Sequence, residues 1–281
     1  MMPRSRRVAL AVCFYTAISL VALAMVVPFL WMISTSLKRF EAIYILPIQW
    51  IPREISFQSY IDVLTIDTIA PFYRAFLNSL FVSLLTVFVT LGSSSAAAFA
   101  FAKFDFRHRD RLFLLFIATM MVPGAVTLIP NYLVLRQINL LGTFTGLALP
   151  SIYNIWAIFL IRQNIMSLPD AYFEAAVVDG GSTFTIYRRI VLPMSKTVLA
   201  SLGVITFMGT WNDYLWPLVV LTGNPNKMTI SLALNNINGR WGDHYEMLMA
   251  GSLISTIPIV LLYIVAQKYF ESGLTVGGLK G

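Results

Sequence analysis

The sequence predicts an all-α fold: a polytopic bundle of six transmembrane helices with both termini cytoplasmic. Three observations carry that expectation. Of 281 residues, 58% are hydrophobic and 12% charged, about half the charged share of an ordinary soluble domain. Six apolar runs reach the ~20 residues that a helix needs to cross the hydrocarbon layer: 8–33, 76–101, 112–135, 143–161, 197–221 and 248–266. With the N-terminus inside, segments 1–7, 102–111, 162–196 and 267–281 hold 13 of the 20 basic residues, as expected where short basic loops stay cytoplasmic.

The elements follow in order. The first run, AVCFYTAISLVALAMVVPFL, is apolar on every face, whereas a transmembrane β-strand would alternate over about ten residues. Ala22-Leu23-Ala24 resembles a signal-peptide cleavage site, but the run exceeds the 7 to 15 residues of a signal h-region, so an uncleaved first helix is expected. Cys13 is the single cysteine, which leaves no disulfide framework. After the outside segment 34–75 comes the second span. The loop KFDFRHRDR follows, with Lys103, Arg107, Arg109 and Arg111 packed into nine residues. In the third span, MVPGAVTLIPNYL, Pro123 and Pro130 free backbone carbonyls that protein or a water-filled cavity must satisfy, although ordinary kinks explain either proline alone.

The net charge of +7 does not point to nucleic acid. The basic residues sit where the membrane rule puts them, and no basic run is interleaved with stacking aromatics. Catalytic chemistry is also missing: there is no HExxH and no CxxC, and His108 and His244 lie far apart and outside every span, so neither a metal nor any other cofactor is expected in this chain. The tail GLTVGGLKG fails as a phosphate loop, because Leu279 follows Gly278 and no Ser or Thr follows Lys280.

Between the fourth and fifth spans lies a polar insertion, 162–196. In SLPDAYFEAAVVDGG, Pro169 suits a first helical turn, Asp170 and Glu174 favour its positive end, and the glycine pair stops it. Ser182 and Thr183 open a second helix that runs to Pro193. Phe173 and Val177 are expected to share one apolar face, and Ile186 and Ile190 another. On this evidence a pair of interfacial helices resting on the bilayer stands beside any functional reading.

Glu174-Ala175-Ala176, three residues, Gly180, nine residues, Ile190-x-Leu192-Pro193 resembles without a gap the EAA signature of the membrane subunits of binding-protein-dependent ABC importers. TWNDYLWPLV, SIYNIWAIFLIRQNIMSLPDAYFEAAVVDG and FESGLTVGGLKG extend the likeness over nearly the whole chain, to the shorter permease of maltose-type carbohydrate importers. The resemblance implies one transmembrane domain over 1–281: a first helix at 8–33, a permease core at 76–270 containing the EAA loop, and a cytoplasmic tail at 271–281. It implies an import subunit for a sugar or oligosaccharide, not an enzyme, in the cytoplasmic (inner) membrane of a bacterium or archaeon. The implied partners are a homologous second permease, two cytoplasmic ATPase subunits that bind ATP and Mg, and an extracytoplasmic solute-binding protein. Glu174, Ala175, Ala176, Asp179, Gly180, Ile190, Leu192 and Pro193 would then couple the chain to the ATPase. Gly273, Leu274, Thr275, Gly277, Gly278 and Lys280 would carry a tail contact with it along an extended path.

Asp213 is the single charge within the six runs, and an ionisable residue at membrane depth is a functional-site hypothesis. With Trp211, Asn212, Tyr214 and Trp216 beside it, and Asn131, Tyr153 and Asn154 on other spans, it forms a candidate translocation path whose rings and amides suit a sugar. Placement near the outer end of its helix, or pairing with the second permease, are the structural alternatives. A permease for another polar organic solute, such as a glycerol phosphodiester, and a secondary transporter are the competing functions. For the binding protein, segments 34–75 and 222–247, the latter with Trp241, Asp243, His244 and Glu246, are equal candidates.

Overall fold

The computed structural model describes residues 4–65, 72–240 and 242–277, and all regular structure among them is helical. Contacts divide it into two compact units, Met1–Phe72 with Leu234–Thr256 and Tyr73–Ala233 with Ile257–Gly281. In the first unit α1 (Arg4–Ser36) exposes its apolar side chains all round, from Leu10 to Leu30. Such a helix needs a hydrocarbon solvent or a partner to cover it. Only its end is gripped. Ser36 Oγ lies 2.8 Å from Tyr60 Oη on α2 (Gln58–Thr65), and Lys38 donates to the Gln49 carbonyl at 2.6 Å while lying over Trp31.

In the second unit α3 (Phe72–Lys103) buries a stripe of hydroxyls on one face, Ser79, Ser83, Thr86, Thr90 and Ser94. Small polar residues at this spacing let another backbone approach closely where the bilayer offers no hydrophobic drive between helices. Ser79 Oγ accepts the Ile230 N–H at 2.7 Å, and Ser94 Oγ donates to the Asn154 carbonyl at 3.4 Å.

Three expected spans are broken rather than straight. The third is α4 (Arg109–Thr119) and α5 (Gly124–Gln137), bent by 101° where Pro123 leaves helical backbone. The fourth is α6 (Phe144–Ala148), continued by a 3₁₀ turn to Tyr153, and α7 (Ile155–Met166), bent by 46° at Asn154. There the Asn154 side chain accepts the Ala157 N–H at 3.0 Å and restarts the helix.

The polar insertion forms α8 (Ala171–Val178), α9 (Thr183–Ile186) and a π-turn, Tyr187–Val191. Within the π-turn's frame the Leu192 N–H reaches back five residues to the Tyr187 carbonyl, and Pro193 supplies no N–H of its own. The expected span 197–221 is two helices, α10 (Lys196–Asn212) and α11 (Leu215–Val220), separated at Asp213 and Tyr214. The 17 residues of α10 reach about 26 Å, short of the ~30 Å hydrocarbon layer. Then come α12 (Ile230–Arg240) and α13 (Tyr245–Gly277). Among the described residues, three helical stretches are long and apolar enough to cross a membrane unbroken, within α1, α3 and α13.

Candidate functional site

The insertion is a pair of short helices turned by glycine, as expected, and its turn is a Schellman motif. The Gly181 N–H reaches the Ala176 carbonyl at 2.8 Å and the Gly180 N–H the Val177 carbonyl at 3.0 Å, which closes the orphan carbonyls of α8. Gly180 sits at φ +73°, the left-handed region that a side chain strains. Gly181 is needed for a different reason: a Cβ there would lie 2.7 Å from the Ala176 oxygen. Across the turn, Ser182 Oγ accepts the Thr185 N–H at 3.3 Å and caps α9.

The buried faces differ in part from expectation. Ile186 is buried and Ile190 packs beside it. Phe173 is buried too, but its companion is Ala176, one turn on at i+3, while Val177 is 63% exposed. The cause is the return of the chain at Gly181 over Ala176, which turns that edge of α8 inward. Phe173, Ile186 and Val191 enter one core with Phe99, Ile161 and Leu202. Burying a phenylalanine or isoleucine is worth about 1.5–3 kcal/mol each, so the loop is anchored rather than laid on a surface.

Polar contacts brace it further. Lys103, at the end of α3, pairs with Asp170 at 2.6 Å and lies over the Phe173 ring at 3.9 Å. Tyr187 Oη meets Ser95 Oγ at 2.7 Å. The buried Arg162 guanidinium donates to the Phe101 carbonyl at 3.2 Å and to Asp110 at 3.4 Å, over the Phe113 ring. Gly181 is marked as half of the glycine pair, but none of Lys103, Arg162 or Tyr187 is marked by the loop's spacing. A buried-looking Arg at the boundary of an apolar run was the one available signal.

The braced loop presents charged groups outward with a cluster of apolar side chains among them. Glu174 and Ala175 are exposed, Ala176 half-buried and Asp179, the C-cap of α8, exposed. Around Glu174 the same loop exposes Tyr172, Val177, Val178 and Phe184, with Val178 at 86%. Ile190 and Leu192 are half-buried and Pro193 exposed at the far end.

Two cavities at the helix breaks share Asp213 and Ser151. One, of about 420 Å³, is lined by Asn131, Leu128, Pro150 and Trp216. The other, of about 280 Å³, is lined by Thr86, Asn154, Thr206 and Thr210. Asp213 stands in the helix break, and its carboxylate accepts the Trp216 N–H at 3.3 Å. The Trp216 indole donates to the Leu147 carbonyl at 3.2 Å. Tyr153 Oη donates to Asn131 at 3.4 Å. Asn212 and Tyr214 are exposed, Asn212 donating back to the Met208 carbonyl. Trp211 departs from its expected place along the path: it is 1% exposed, stacked on Phe207 and edge-on to Phe76. Position in α10 turns it inward, opposite to the break that frees Asp213.

The remaining candidates divide as follows. Gly273, Leu274, Thr275 and Gly277 lie on helical backbone, the last turns of α13, and not on an extended path. Once a helix is nucleated, propagation through a glycine costs only about 1 kcal/mol. Gly278 and Lys280 lie outside the described residues, as does Trp241. Of the two segments weighed for the binding protein, the first unit brings 34–65 and 243–247 together: Phe40 stacks on His244 at 4.4 Å, Tyr44 donates to the Asp243 carbonyl, and His244 meets Glu246 at 2.7 Å. Among the described residues no cluster of metal-ligating side chains occurs.

Broken apolar helices, cavities that gather a few polar groups at their breaks and a braced polar loop are consistent with a membrane transport subunit. The chain belongs to the family of binding-protein-dependent transport system inner membrane components, which matches residues 89–276. It is 34% identical to the arabinooligosaccharides transport system permease protein AraQ of Bacillus subtilis (strain 168), over 82% of this chain and 81% of that one. It is 37% identical to the sn-glycerol-3-phosphate transport system permease protein UgpE of Salmonella typhi, over 73% of each. A crystal structure of a bacterial ABC transporter involved in the import of the acidic polysaccharide alginate contains a chain with the same fold. The TM-score is 0.85 at 24% identity, covering 96% of this chain and 99% of that one.

Proposed function

We propose that this chain is one of the two permeases of an ATP-driven importer for a sugar or oligosaccharide, crossing a bacterial or archaeal cytoplasmic membrane six times with both termini inside. A homologous permease completes the path, an external binding protein delivers the solute, and two cytoplasmic ATPases bind ATP and Mg. The observation that carries the ATPase assignment is the exposed apolar surface around Glu174 on a loop anchored by Phe173 and Ile186. Apolar side chains held rigidly in water call for a protein partner. The anchoring makes the loop a lever: closure of an ATPase dimer against α8 is passed to α3, α7 and α10 through packed side chains. Glu174, Gly180 and their neighbours therefore transmit force and perform no chemistry. Along the path Asp213, Asn131, Tyr153, Asn154 and Trp216 face the solute.

A phosphorylated polyol is the second reading for the solute, favoured by the similarity to the glycerol-3-phosphate permease. The test is mild-detergent purification of the tagged chain from its own cells, with identification of co-purifying subunits and of the ligand eluted from the binding protein. Recovery of an ATPase, a second permease and a saccharide-loaded binding protein is expected. Recovery of the chain alone, without ATPase activity after gentle crosslinking, would overturn the importer.

A further inference from the structure

We propose that Asp213 makes this half of the path a charge filter, which favours neutral or cationic polyhydroxylated solutes and holds back anionic ones. The inference rests on the reading of the two cavities as part of that path. Their linings contain hydroxyls, amides and one indole, and Asp213 is the one ionisable group in either. No lysine or arginine lies along them to receive a phosphate or a carboxylate. Side chains that recognise phosphate and carboxylate most strongly are of that kind, through charge-assisted hydrogen bonds.

The carboxylate's position strengthens the effect. The break between α10 and α11 places it where both cavities meet, so any solute moving from one to the other passes it. It is half-buried between low-dielectric walls, where the field of one charge extends farther than in water. A neutral polyol loses nothing there and gains a strong acceptor for its hydroxyls. An acidic solute meets like charge with no counter-ion. This separates the two candidate solute classes and selects the neutral saccharide.

The experiment uses the assembled complex with Ser151→Cys in a Cys13→Ser background. Ser151 lines both cavities and is half-buried. Rates of modification by cationic and anionic methanethiosulfonates of similar size are compared, and their ratio is divided by the same ratio in Asp213→Asn, which cancels intrinsic reactivity. A quotient of about ten or more is expected, with Asp213→Glu retaining it. Co-purification of the ATPase confirms that each variant assembles. A quotient near one, with the thiol reactive, would overturn the filter and leave the path in place. A thiol inert to both reagents and to an uncharged one, in complexes that still drive uptake, would remove Ser151 and Asp213 from the path and the filter with it.

Discussion

The proposed coupling role of Glu174 and its neighbours can be separated from stability at the level of single side chains. Because Glu174 is exposed on α8, Glu174→Ala is expected to change the stability of the purified complex by no more than about 0.5 kcal/mol, while ATP-driven uptake falls at least about tenfold. Thermal unfolding and uptake in vesicles check the two parts, and unchanged uptake would remove the ATPase assignment. The glycines respond differently. Gly180→Ala strains a left-handed position by about 1–2 kcal/mol, and Gly181→Ala meets the Ala176 carbonyl. Both are expected to lower the melting temperature of the complex as well as its transport rate. Trp211→Ala is expected to cost about 3–5 kcal/mol, the ordinary result of emptying a buried indole site. The folded remainder should keep its KM for solute, whereas a wall of the path would shift KM first.

At the scale of elements, the loop is held by three others. The Lys103–Asp170 pair adds little by itself, since the Asp170 side chain is 79% exposed and surface pairs contribute about 0–1 kcal/mol. Phe173 and Arg162 matter more. Removing the Arg162 guanidinium takes away the donor to the Phe101 carbonyl and to Asp110, at a cost of about 1–3 kcal/mol. Arg162→Met is therefore expected to lower the stability of the complex by that amount, and to weaken solute-stimulated ATPase activity more than basal activity. Equal loss of both would argue that Arg162 only supports the fold. Helix breaks follow the same logic: Pro123, Asn154 and Asp213 each stand where one helix stops and another begins, and the larger cavity lies against Gly124 and Asp213, the smaller against Asn154 and Asp213.

At the scale of the whole molecule, α1 exposes apolar side chains from Leu10 to Leu30, and α8 exposes Tyr172, Val177 and Val178. In the proposed assembly those faces are covered by lipid and by partner subunits. Solubilised alone, the chain is expected to aggregate in mild detergent and to show no ATPase activity. Co-expression with the ATPase and second permease should give a monodisperse complex, which size-exclusion chromatography distinguishes directly.

Much of this was legible in the residues themselves. Apolar run length and the placement of basic residues indicate a membrane chain, because those properties answer to the bilayer rather than to any neighbour. Glycine at 180 and proline at 193 mark the loop, because backbone chemistry is local. The composition of Asp213's surroundings marked it as a charge at depth. Tertiary structure decided what faces what. A helix apolar on every side carries no periodic record of which face meets protein and which meets lipid, so Trp211 read as path and proved to be core. Phe173 chose Ala176 over Val177 because of a chain return at Gly181. Lys103 and Arg162 gained their partners from segments distant in sequence. Contacts of that kind depend on packing, and packing is specified by shape in three dimensions rather than by spacing along the chain.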